Sequence, residues 1–297
     1  MKVLLVNNGM HHKLLHSIIN YKNITLTEVK DINQVHEDEL RTYDAIYSPG
    51  LPIDVKKYHY CKFIFGPQFS VFPDNPSAIE MIKNKNSFYA IPSKWVIELW
   101  KNYNFRNMNL CKDLNIVALP FGVDTEMFKP RIPVCDKNRV FLYKKSRSHN
   151  DYNVITQFLQ KRNIDFKVFS YNQKYSENEY LEYLQHAKYG IWVGIHESQG
   201  FALQEALSCD VPLFVWNVTS MNQEIGPNYD NHPATTIPYW DERCGEYFHR
   251  QDDMERTFDL FLSKLHTYNP RDYVVENLSL DVCERKLIEY INKLHEK

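Results

Sequence analysis

Glycine is scarce: only 9 of 297 residues, about 3% against roughly 7% in an average protein, so each one marks a demanding stretch of backbone. The six cysteines (Cys61, Cys111, Cys135, Cys209, Cys244, Cys283) contain no C-x-x-C pair. That argues against zinc or dithiol chemistry and leaves reduced, mostly structural thiols as the expectation. No G-x-G-x-x-G follows any strand-like run, which argues against a dinucleotide oxidoreductase. Charge of one sign is also lacking. Lys+Arg number 35 and Asp+Glu 37, a net −2, so there is no basic field to grip nucleic acid. The longest apolar runs, such as 3–6 and 211–216, fall far short of the roughly 20 residues a membrane span needs. No signal-peptide pattern follows Met1, and a cytoplasmic location is expected.

What is present suffices for folded cores: of the whole chain, 43% is hydrophobic, 14% aromatic and 24% charged. The length suggests two domains. Strand-like runs at 2–6, 24–29, 43–47, 62–65, 88–92 and 115–119 alternate with helical windows at 75–85 and at 93–103, where Ser93 stands as the expected cap. The alternation restarts with strands at 139–143, 165–170, 189–193, 212–216 and 234–238, and helices at 152–160, 177–186 and 201–208. Helical windows at 254–266 and 280–294 close the chain, the last with Leu280, Leu287, Ile291 and Leu294 on one stripe. This is the pattern of two α/β units with parallel sheets. Three prolines and a glycine interrupt 120–133, the expected hinge. The expected domains are 1–125, 134–275 and a C-terminal helix, 276–297, packing back towards the first.

Three glycines, Gly190, Gly194 and Gly200, bracket one strand and the turn after it, in Gly-Ile-Trp-Val-Gly-Ile-His-Glu-Ser-Gln-Gly-Phe-Ala-Leu-Gln-Glu-Ala. A strand leading through a glycine turn into a helix offers backbone N–H groups to an anion, here those of Gly200, Phe201 and Ala202. Two carboxylates frame the turn. Glu205 lies about one turn into the helix, where it can accept hydrogen bonds from a vicinal diol such as ribose. Glu197, in the turn itself, would meet hydroxyls of a sugar beyond the phosphates. The ligand implied is a nucleoside diphosphate sugar.

Two glutamates at this spacing, the continuation Glu205-Ala206-Leu207-Ser208-Cys209-Asp210-Val211-Pro212, and the upstream Gly122-Val123-Asp124 with Phe128 and Pro130 resemble the retaining glycosyltransferases with two Rossmann-like domains (the GT-B type), family 4 in particular. The resemblance covers about 121–216. Tyr239 to Gly245 and Asn269-Pro270-Arg271 also resemble some viral and bacterial members. The resemblance implies two Rossmann-like parallel-sheet domains facing across a cleft, the first one short. It implies transfer of a hexose from a UDP- or GDP-linked donor to a hydroxyl of a glycan or other acceptor, with retention. Glu205 would hold the ribose and Glu197 the donor sugar. Lys144, Lys145 and Arg147, after the first strand of the second domain, would stabilise the leaving diphosphate. Ser170, Tyr171 and Asn172 would touch the nucleobase. No Asp-x-Asp occurs, so no metal is expected and the cations take its place. Gly66-Pro67-Gln68-Phe69 is the nearest first-domain counterpart of the family's catalytic-region turn.

Other readings stand beside these. His196 either polarises a hydroxyl or structures its turn, and His11 and His12 either face a ligand or begin a surface helix. Asp210 is read as structural, tolerating a left-handed turn. Trp192, Trp216 and the ring of Phe201 are read as core, and Met127 with Phe128 as packing. Tyr239-Trp240-Asp241 either lines the cleft or packs. Two alternatives to the transferase remain: a non-catalytic nucleotide-sugar-binding protein, and a sugar-nucleotide epimerase.

Overall fold

The computed structural model describes residues 1–173 and 175–296. The chain divides into two compact units, Met1–Gly122 together with the segment from Leu280 onward, and Val123–Ser279.

The first unit is built on β1 (Lys2–Val6), β2 (Thr25–Val29), β3 (Ala45–Ser48), β4 (Phe63–Phe65), β5 (Ser87–Ile91) and β6 (Ile116–Ala118). All pair in parallel, in the order β2-β1-β3-β4-β5-β6. Strands β3, β4 and β5 are buried at every position, as a sheet covered on both faces requires. The helices are α1 (His12–Ile19), α2 (Glu37–Leu40), α3 (Pro76–Ile82) and α4 (Lys94–Asn102). Asn75 caps α3 by accepting from the Ala78 amide at 3.1 Å, with Pro76 at the first helical position. Ser93 occupies the cap position of α4 without making the expected bond; its hydroxyl is buried and has no partner among the described residues. The C-terminal helix (Leu280–His295) buries Cys283, Leu287, Ile291 and Leu294 at helical spacing. Its buried Glu284 accepts from the Asn23 side chain at 3.0 Å, and Tyr290 places its ring 5.6 Å from that of Phe88.

The second unit contains β7 (Arg139–Lys144), β8 (Lys167–Ser170), β9 (Ala187–Val193), β10 (Leu213–Trp216) and β11 (Gly245–Phe248), again all parallel, in the order β11-β10-β9-β7-β8. Its helices are α5 (His149–Lys161), α6 (Glu177–His186), α7 (Phe201–Ser208), α8 (Met254–Ser263) and α9 (Pro270–Leu278). Alternation along β7 sends Phe141 and Tyr143 into one core with Tyr180, Leu184, Leu203 and Leu207, and Val140 and Leu142 into another with Ile155, Phe158, Phe258 and Phe261. Gly190 is fixed by close approach, since a Cβ there would lie 2.2 Å from the Phe141 ring. Trp192 and Trp216 are core, as read from the sequence, with Trp192 stacked on Tyr143 at 3.8 Å.

The expected strand at 234–238 does not form. The Asn217 side chain accepts from the Thr236 amide at 2.8 Å and from the Thr235 hydroxyl at 3.0 Å, while the Ala234 amide bonds the Thr219 carbonyl. Amides occupied this way cannot join a ladder. The place beside β10 goes to β11 instead. Among the described residues no helix is long and apolar enough to cross a membrane, and all six cysteines are free thiols, five of them buried.

Candidate functional site

In the second unit the first strand, β7, is flanked by β8 on one side and β9 on the other, so the chain order reverses between β7 and β9. Open parallel sheets bind ligands at the carboxyl ends of strands at such a reversal, where successive connections leave the sheet in opposite directions. The segments after these two strands are Lys144 to Arg147 and Gly194 to Gly200.

After β9 the chain turns into α7 through Gly200, which is left-handed at φ 78°, ψ 48°. Side chains set the turn. Gln199 donates to Gln204 Oε1 at 2.8 Å, both residues are buried, and the Glu197 amide donates to the Thr235 carbonyl at 3.0 Å. The amides that open α7 have no acceptor within the helix, and the helix dipole adds positive potential there. Glu205, 4% exposed, lies one turn in, close to the Tyr175 and Tyr180 phenols. Burial, with Glu205 adding to it, pushes the Tyr175 phenol up to about 12.

Opposite Glu197 stands Lys145, whose amide donates to the Val193 carbonyl at 3.1 Å. Lys145 Nζ is 2.7 Å from Glu197 Oε1, and the two side chains are 18% and 13% exposed. Burial pulls the lysine pKa down, but the Glu197 carboxylate outweighs it and the ammonium titrates above its ordinary value. The same ammonium sits 4.7 Å from the centre of the exposed Tyr171 ring, which follows β8 together with the exposed Asn172. Lys145, Glu197 and Tyr171 are thus gathered at one place.

The other two cations expected beside the diphosphate are placed differently. Lys144 ends β7 on the α5 face, with Nζ 4.0 Å from the centre of the Tyr152 ring. Arg147 turns inward. Its side chain is 1% exposed, Nε donates to Asp151 Oδ2 at 2.8 Å, and Nη1 to the carbonyls of Gly194 at 3.2 Å and Trp216 at 3.4 Å. It ties the ends of β9 and β10 together, the contacts of a brace between strands. Alternation at the strand end separates Lys144 from Lys145, and Ser146, left-handed at φ 44°, breaks the extended path before Arg147.

Three residues that the sequence did not single out also lie here. Glu224 Oε2 is 3.6 Å from His196 Nδ1, and the Tyr229 ring packs edge-on to the His196 ring at 5.7 Å. Burial, then the nearby Lys145, depresses the His196 pKa to about 4, so the imidazole is neutral near pH 7 and its approach to Glu224 is not an ion pair. Burial, assisted by Glu197, raises the Glu224 carboxyl pKa against the opposing effect of Lys145. Thr235 contributes its carbonyl to the Glu197 turn. All three come from the irregular segment after β10, pinned to the site by the Ile225 amide on the Ser146 carbonyl at 2.9 Å. No periodicity marks such a segment in sequence.

Phe201 and Ala202 are half-buried at the start of α7, and the Ala202 carbonyl accepts from Tyr180 Oη at 2.9 Å. Asp210 adopts φ 57° after α7, the structural turn read for it. Among the described residues, no three His, Cys, Asp or Glu side chains gather as a metal ion needs.

No family model and no curated protein matches the chain in comparison. Solved structures do. AviGT4, a glycosyltransferase involved in avilamycin A biosynthesis, superposes with a TM-score of 0.54 at 12% identity, covering 99% of this chain and 98% of that one. The N-terminal domain of Candida albicans trehalose-6-phosphate phosphatase gives 0.56 at 9% identity, covering 98% and 97%. The catalytic domain of starch synthase IV from Arabidopsis thaliana, bound to ADP and acarbose, gives 0.52 at 10% identity, covering 86% and 73%. At these identities the likeness is one of fold, and the fold is that of two Rossmann-like units.

Proposed function

We propose that the chain is a glycosyltransferase that takes a hexose from a nucleoside diphosphate donor, UDP- or GDP-linked, and passes it to an acceptor hydroxyl with retention and without a metal. The observation that carries this reading is the convergence of Lys145, Glu197 and the Gly200 turn at the strand-order reversal of the second unit. A diphosphate before α7 would be met by helix amides and one ammonium, groups that stabilise the charge growing on a leaving phosphate. Buried Glu205 would accept from ribose hydroxyls, Glu197 from hydroxyls of the sugar, and Tyr171 would offer its face to the base. His196, neutral, can accept or donate a single hydrogen bond to a sugar hydroxyl. Lys144 lends charge from the rim, and Arg147 holds the two strand ends in place. The acceptor proton would pass to the departing phosphate oxygen, as the family resemblance implies.

A thermal-shift screen of UDP- and GDP-sugars tests the donor site. A true donor raises the melting temperature by mass action, and Glu205→Ala should abolish that rise. Incubating the stabilising donor with candidate glycan acceptors then separates transfer from simple binding. Absence of a shift with every nucleotide sugar would overturn the assignment.

A further inference from the structure

The ammonium that a diphosphate needs is already engaged by a carboxylate. Lys145 Nζ sits 2.7 Å from Glu197 Oε1, with both side chains largely out of water. Lys144 lies on the Tyr152 ring and Arg147 on the carbonyls of Gly194 and Trp216. Neither can take over without leaving its own partners. A carboxylate that stayed on Lys145 would stand beside the phosphates as a like charge, and Glu224 already adds negative charge to the same neighbourhood.

Resting on the donor-site reading above, we propose that Glu197 and the donor diphosphate compete for Lys145. Arrival of the diphosphate turns the Glu197 carboxylate off the lysine and towards the sugar, and departure of the nucleoside diphosphate lets the pair close again. The movement needs side-chain rotation only, because the Glu197 backbone is held by its amide on the Thr235 carbonyl at 3.0 Å. A free hexose therefore meets a carboxylate that is otherwise engaged. The product nucleotide is held less tightly than the lysine and helix alone would hold it, which speeds release.

Titration calorimetry of the full chain with UDP, GDP and ADP tests this, using the wild type, Glu197→Gln, Glu197→Asp, Lys145→Ala and the Glu197→Gln/Lys145→Ala double variant. Whichever nucleotide binds the wild type should bind Glu197→Gln roughly tenfold tighter, the scale of one charge-assisted hydrogen bond no longer opposing it. Glu197→Asp keeps the charge and should not show that gain. The gain should vanish when Lys145 is also replaced. Unchanged or weaker binding by a Glu197→Gln protein that melts normally, with binding still dependent on Lys145, overturns the competition while the donor-site reading stands. Binding to the wild type that is indifferent to Lys145 overturns the reading itself.

Discussion

Arg147 and Lys145, two residues apart, should fail in opposite ways when removed. The Arg147 guanidinium holds Asp151 at 2.8 Å and two buried carbonyls at 3.2 and 3.4 Å. Arg147→Ala leaves all three without that donor, in a place where its side chain is 1% exposed. Breaking a buried pair by removing one partner costs about 3–5 kcal/mol. For a unit of this size, at about 2–4 °C per kcal/mol, the melting temperature should fall by roughly 6–20 °C. Arg147→Lys keeps the charge without the planar fork and should recover part of the loss. Nucleotide affinity, measured well below the melting point, should change little in either variant. Lys145→Ala should show the reverse: a smaller fall in melting temperature, because it deprives one carboxylate of its partner where Arg147→Ala deprives a carboxylate and two carbonyls, and donor binding weakened by a hundredfold, about 2.7 kcal/mol. Differential scanning fluorimetry paired with calorimetry reads both quantities. An Arg147→Ala protein that melts within about 1 °C of the wild type yet loses the nucleotide would refute the bracing role, since such a result requires contact with the ligand.

His196 makes stability depend on pH with a definite sign. Its pKa is depressed from 6.5 to about 4 in the folded chain, so between those values the unfolded state carries the extra proton. Its contribution is therefore complete above pH 6.5 and lost as pH falls to about 4, some 3 kcal/mol in all. His196→Gln should flatten the urea midpoint over that window, and an unchanged slope would place the proton elsewhere. Gly200→Ala has room for its methyl but must hold φ 78°, so it should cost about 1–2 kcal/mol by urea denaturation and weaken donor binding as the turn relaxes. A cost near zero would mean that the turn adopts another conformation in solution.

Much of this architecture was readable from residue order alone. The run Lys2–Val6 is a strand as expected, and 189–193 and 212–216 fall within one or two residues of β9 and β10, because strands buried on both faces leave continuous apolar runs. Edge elements were harder. Gly245–Phe248 is four residues long with a half-exposed middle, a weak signal beside the β-branched 234–238 that side-chain hydrogen bonds diverted. Helix α9 passed unread although Asn269-Pro270 is a legible start, since its burial stripe is faint. In the site, the glycine turn and its two glutamates were visible because chain order holds them together. Which of three neighbouring cations faces Glu197 was not, since that depends on where the strand ends. Glu224 and Tyr229 arrive along an irregular path that only the folded chain reveals.

The first unit is assembled from two distant stretches, and this sets the order in which the protein can be completed. The ribosome delivers β1 to β6 early, but Tyr290, which lies on Phe88 and donates to the Ala118 carbonyl, and Glu284, which receives Asn23, are made only after the whole second unit has emerged. Since nascent chains fold from the N-terminus, the domain begun first must wait with an apolar flank uncovered and is finished last. Stalled or truncated chains ending before Leu280 would present that flank to chaperones, whereas the second unit, continuous in sequence, could close without waiting.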